Sequence, residues 1–225
     1  MKNNQYYKNS ALNALRGNWP VAVAATIVYV LIGGICTAPS TASQYVVLFI
    51  SSPVAAILVG GFPVIVTLLF LAPMQVGYYN AFKKLHQEGN SDLVGNIFTL
   101  GFKGWGRIVL GQFLLGIFVF LWSLLLLIPG IVKAYAYAMT PYILVDRPDL
   151  SANQAINLSC KMMSGHKFDL FYLQLSFIGW AILCLFTLGI GFLWLLPYYA
   201  TAQAAFYQDV KSEYEMSGIG AGIAA

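Results

Sequence analysis

Residues 110–127 read LGQFLLGIFVFLWSLLLL, eighteen positions with no charge and with apolar side chains on every side of a helix. A hydrocarbon core about 30 Å thick calls for roughly 20 apolar residues at 1.5 Å of helical rise each, whereas a barrel strand would alternate over segments of about ten. The stretch therefore predicts a membrane-spanning helix. Comparable runs predict spans near 19–37, 61–82, 106–128, 131–145, 169–187 and 190–207. Only 9% of the chain is charged and the mean hydropathy is +0.73, against about 25% charge in a soluble domain, so the polar surface is too small for a dissolved globule. The predicted fold class is all-α: a polytopic membrane protein with one six-helix domain over 1–215. The low-complexity end MSGIGAGIAA, 216–225, is predicted to be a disordered tail.

The charges predict how the chain is threaded. With a cytoplasmic N-terminus, six crossings return the C-terminus to the cytoplasm. All of the twelve Lys and Arg residues except Lys133, and all eight acids, then fall on the inner side. This is the pattern of the positive-inside rule. The net charge of +4 is scattered beside apolar segments and forms no stripe that could track phosphates, so no nucleic-acid partner is expected. The first apolar run follows a long polar lead and precedes further spans, which favours a retained helix over a cleaved signal. Residues 44–59 are read as a re-entrant or interfacial segment, or an extension of the second helix. Trp105 to Val145 would make one helix of roughly 60 Å, so the "IPGIV" motif is expected to break it at Pro129 and Gly130.

Charge gathers in "NLSCKMMSGHKFDLF", 157–171. Upstream, Ser151 and Gln154 have capping-box spacing, and Gly165 suits a helix end. At 100° per residue, Ala152, Ala155, Ile156, Ser159, Met162 and Met163 share one arc, opposite Asn153, Gln154, Asn157, Cys160, Lys161 and Ser164. The prediction is a short amphipathic helix over 152–164, lying at the inner interface with membrane lipids as partners. Asp146, Arg147, Asp149, Lys161, His166 and Lys167 form a candidate interaction surface for other membrane proteins. No nucleophile motif accompanies His166, and Cys36, Cys160 and Cys184 lack metal-ligand spacing, so no catalytic residue, metal or cofactor is expected.

Three stretches share a pattern. "ALNALRGNWPVAV" (11–23), "NIFTLGFKGWGRIVL" (96–110) and "AINLSCKMMSGHKFDLF" (155–171) each pass from a short helix through a glycine into a span. "PMQVGYYNAF" (73–82) and "PYYATAQAAF" (197–206) place Pro nine residues before Phe, and "PYILVD" carries Pro141. Three interfacial-helix-plus-hairpin repeats are therefore predicted. Pro73, Pro141 and Pro197 would each free a carbonyl one turn upstream. This suggests a central cavity lined by Gln75, Thr140 and Gln203. Gln112 and Gln174 are read as interhelical hydrogen-bond partners. Lys133, the one ionisable group away from the inner face, is read as an anchor at the outer surface, with a role in the cavity as the alternative.

Three blocks carry a family resemblance: the "PG…K" turn, "DRPDLSA" before "SCKMMSGHK", and "LSFIGW" leading to "LWLLPY". With them the chain resembles the bacterial integral-membrane family known as domain of unknown function 975, most specifically from Leu126 to Val210. The resemblance implies a six-span protein of the bacterial cytoplasmic membrane and supplies no activity. The leading expectation is a non-enzymatic membrane scaffold or accessory subunit. The alternative is a small transporter or lipid-handling protein with a proline-kinked cavity.

Overall fold

The computed structural model describes residues 2–47, 61, 65–89, 92–125 and 127–217. Among the described residues there is no strand. In chain order the helices are α1 (Asn4–Leu15), α2 (Trp19–Val47), α3 (Ala72–Glu88), α4 (Leu93–Phe102), α5 (Trp105–Leu125), α6 (Leu127–Tyr137), α7 (Thr140–Asp146), α8 (Ala152–Met162), α9 (Lys167–Phe186) and α10 (Phe192–Met216). A π-helical turn, Thr67–Leu71, leads into α3. Trp19–Thr37, Trp105–Leu124 and Lys167–Phe186 are long and apolar enough to cross a membrane, and they mark the chain as a membrane protein.

Three short helices introduce these long ones in the same way. The N-cap side chains Asn3, Asp92 and Ser151 accept from the backbone N–H of Tyr6, Gly95 and Gln154, pairing donors that a helix start leaves open. The Ser151 backbone N–H donates in turn to Gln154 Oε1, which completes a capping box. Each short helix ends at a glycine with left-handed φ: 84° at Gly17, 74° at Gly104 and 89° at Gly165. Glycine adopts that region without a Cβ clash, so the chain can reverse there into α2, α5 and α9.

The short helices pack in a closed order. α4 lies on α3, α8 on α7, and α1 on α10, while α4 also touches α2, α8 touches α5 and α1 touches α9. The α3–α4 crossing is backbone-close, because a Cβ on Gly77 would overlap the Ile97 carbonyl and one on Gly101 would overlap that of Pro73. Helices α3, α7 and α10 form the centre, and their buried side chains include Phe82, Tyr142, Phe206 and Tyr207. The α8 arc of Ala152, Ala155, Ile156, Ser159, Met162 and Met163 is buried with Leu158, while Asn153, Gln154, Asn157 and Lys161 are exposed.

Several boundaries differ from the sequence reading. Helix α2 runs ten residues past the expected end at 37, so 44–47 is helical; 48–59 lies outside the described residues, as do most of the start of the 61–82 span and tail positions 218–225. Helix α10 extends nine residues beyond 207, because its last turns pack on α1 and α8. Pro129 and Gly130, the expected site of a break, are helical. Both residues lie in the first turns of α6, where proline's missing N–H has no intrahelical partner to lose, and Gly130 allows close approach to Ser123.

The expected single span 131–145 is instead broken at Ala138–Met139. Ser159 of α8 fastens this break: its hydroxyl donates to the Ala136 carbonyl (2.8 Å) and accepts from the Met139 N–H (3.2 Å). Proline openings are met in kind elsewhere. The carbonyl four residues before Pro73, that of Leu69, accepts from the Trp105 indole at 2.8 Å.

Candidate ligand cavity and adjoining charged cluster

A cavity of about 540 Å³ lies where α5 and α6 face α3, α7, α9 and α10. Its polar lining consists of four glutamines (Gln75, Gln112, Gln174, Gln203) and four tyrosines (Tyr79, Tyr137, Tyr142, Tyr199). Leu115, Gly116, Val119, Phe120, Ala134 and Ala138 make the apolar wall. Helical periodicity accounts for part of the pattern. Gln75 and Tyr79 on α3, and Tyr199 and Gln203 on α10, are i,i+4 pairs that share a helix face. They stand two and six residues after Pro73 and Pro197, with tyrosine and glutamine exchanged.

Some of these polar groups are paired. The Tyr135 hydroxyl donates to Gln174 Oε1, and Gln174 Nε2 donates to the Tyr199 hydroxyl, both at 2.8 Å. Others have no protein partner. Gln203 Oε1 and the Tyr142 hydroxyl are buried without one, and these residues are 7% and 1% exposed. A buried polar atom left unpaired costs about 1–3 kcal/mol.

The wall continues into a charged cluster. The Tyr142 ring stacks on Tyr207 with centroids 4.7 Å apart, and the Tyr207 hydroxyl donates to Asp146 Oδ2 at 2.9 Å. Asp146 also pairs with Lys83 through Oδ1 and with Lys211 at 3.0 Å through Oδ2. One carboxylate thus joins α3, α7 and α10. Burial pushes the Asp146 carboxyl up, but Lys83 and Lys211 outweigh it and hold the group below the usual carboxylate range. Burial lowers the Lys83 ammonium, and Asp146 offsets this only in part. Nearby, Arg107 donates to the carbonyls of Leu144, Arg147 (2.8 Å) and Leu150 (2.9 Å), closing the open end of α7. At the α1–α10 contact, Tyr7 donates to Asp209 at 2.6 Å, and His86 bridges Ser10 (2.7 Å) and Gln208 (3.1 Å). Burial lowers the His86 pKa.

The sequence-predicted residues separate into groups. Gln75 and Gln203 line the cavity, together with Gln112, Gln174 and Pro141. Thr140 is fully buried behind the wall and its hydroxyl has no partner. Lys133 is absent from the lining, and its ammonium lies 4.8 Å from the Trp122 ring centroid. The six residues read as an interaction surface stand in different settings. Asp146 turns inward, because its partners lie on α3 and α10. Arg147 and Asp149 pair with each other at 2.8 Å. Lys161 is exposed on α8, and His166 sits 3.5 Å from both Asp169 and Glu213, next to half-buried Lys167.

Sequence reading missed Lys83, Lys211, Tyr207, the Arg107 cap and the Ser159 fastening. One signal was present for two of them: Lys83 and Tyr207 each follow their proline, Pro73 or Pro197, by ten residues. Among the described residues no group of three or more His, Cys, Asp or Glu side chains is placed to hold a metal ion.

Residues 123–214 match the family described as "Protein of unknown function (DUF975)". The matched segment contains Asp146, Lys211 and the cavity residues from Ala134 to Gln203, while Gln75, Lys83 and Gln112 precede it. No curated protein and no solved structure matches the chain.

Proposed function

We propose, for a chain whose residues 123–214 carry the DUF975 pattern, that it is a six-span protein of the bacterial cytoplasmic membrane. In this reading it binds a small amphipathic molecule between its helices, as a transporter or lipid-handling protein. The observation that carries the proposal is the cavity of about 540 Å³ with glutamines and tyrosines on one side and an aliphatic wall on the other. Concave, mostly apolar sites with a few convergent polar groups are the usual form of small-molecule pockets. Support for three repeats and six crossings comes from the three capped short helices, the three left-handed glycines and the closed packing order. Each long helix that leaves a short one needs a return, which gives six. Both termini are then cytoplasmic.

The test fills the cavity. Gly116 lines it, and a Cβ there meets nothing within 4 Å. Gly116→Phe should leave thermal stability near that of the parent and abolish photolabelling of peptides from 112–142 by an amphiphile that carries a diazirine. Labelling that persists in a folded Gly116→Phe protein would refute the cavity reading and return the scaffold alternative to the front. Orientation is checked with Cys160, which should react with an impermeant maleimide only from the cytoplasmic side. Burial raises that thiol's pKa, so the reaction should speed up with alkaline pH.

A further inference from the structure

Resting on the cavity reading, we infer that the ligand's polar end is uncharged and carries a hydroxyl or amide N–H that donates to Gln203, as in a monoacylglycerol or another polyol-headed amphiphile. Three observations converge on this class. First, among the described residues no Asp, Glu, Lys, Arg or His lines the cavity, and an ion taken from water into such surroundings needs a counter-charge there. Second, the unpaired Gln203 Oε1 is an acceptor in a residue only 7% exposed. Its Nε2 makes no hydrogen bond among the described residues either, so the side chain calls for a group that both donates and accepts, which a hydroxyl supplies and an anionic phosphate or a quaternary ammonium does not. The Tyr142 hydroxyl, also unpaired and able to both donate and accept, suits the same alcohol group.

Third, a cluster of formal charges lies one aromatic layer behind the wall. Lys83, Lys211 and Asp146, connected through Tyr207 to the Tyr142 ring, sum to +1. That excess opposes a cationic head. It also argues against use of the tyrosines as an ammonium cage, since Tyr142 already spends one face on Tyr207 and Tyr199 packs edge-on against Phe177. The uncharged donor is the head chemistry that none of the three observations penalises. The apolar wall of Leu115, Val119 and Phe120 takes the adjoining hydrocarbon.

The experiment uses the full chain in phosphatidylcholine nanodiscs and three photoprobes that share one acyl chain. Their heads are glycerol (uncharged), phosphoglycerol (anionic) and trimethylammonium (cationic). The glycerol probe should label cavity peptides, with the unlabelled monoacylglycerol competing at least about tenfold better than either charged analogue. Loss of one buried hydrogen bond corresponds to roughly fivefold or more in affinity. Gln203→Leu and Tyr142→Phe should each lower glycerol-probe labelling by about that factor, while Gln203→Glu should shift preference toward the trimethylammonium probe. Equal or better labelling by a charged probe, mapped to the same peptides, overturns the assigned class and leaves the cavity reading standing. Absence of cavity labelling by every probe overturns both.

Discussion

The centre of the molecule and its long helices follow opposite rules of composition. In the centre, α3, α7 and α10 bury Lys83, Asn80, Thr140, Thr201 and Gln203 among aromatic rings, and the three short helices packed on them each start with a side-chain cap. The membrane-length helices bury only 17%, 11% and 22% of their apolar windows and turn outward such side chains as Leu124 (73% exposed), Leu185 (66%) and Phe186 (83%). In water that arrangement would be inverted. In a bilayer the exposed hydrocarbon is solvated by lipid, and polar groups must find one another inside. The difference teaches that specificity resides in the centre, where positions are fixed by directional bonds. The outer surface requires only that its side chains be apolar.

The contrast can be broken most directly at Asp146. Asp146→Ala strands Lys83 in a site where it is 6% exposed, and removing one partner of a buried pair typically costs about 3–5 kcal/mol. A large fall in the thermal midpoint in micelles is expected, and a change no larger than that of a lipid-facing substitution would end the comparison. Ser159→Ala leaves the Met139 N–H and the Ala136 carbonyl unpaired at the helix break. It should cost about 1–3 kcal/mol, whereas removing the exposed Ser123 hydroxyl should cost far less. Ser151→Ala removes the capping box of α8 and should lower stability by about 1 kcal/mol.

Acidification sharpens the same point. Asp146 has a folded pKa below its unfolded value, so its contribution is complete above the unfolded carboxylate range near 4 and fades as pH falls through the lower folded value. Asp146→Asn should flatten that part of the profile of unfolding against pH. The smallest effect belongs to the outer surface: Leu124→Ala is expected to change the unfolding free energy by no more than about 0.5 kcal/mol.

The sequence displayed the outer surface more legibly than the centre. Trp19–Thr37, Trp105–Leu124 and Lys167–Phe186 are readable because apolarity over a fixed length is a one-dimensional property. The α8 face was readable for a similar reason, since period and capping box are local. Gln75 and Gln203 could be picked out because a glutamine in an apolar run is conspicuous. Lys83, Asp146 and Lys211 could not be joined, since their meeting depends on how three helices cross, and in the linear chain each looks like an inner-face charge. The second break, at Ala138–Met139, was hidden because its stabilising hydroxyl, Ser159, comes twenty residues later.

The contact between α1 and α10 has a consequence for biosynthesis. Tyr7 and Ala11 emerge from the ribosome early, yet the surface that covers them includes a helix translated long afterwards. The ring of helix pairs therefore closes only when α10 arrives. Until then α1 waits with an uncovered apolar face at the membrane, where the translocation machinery or lipid must shelter it.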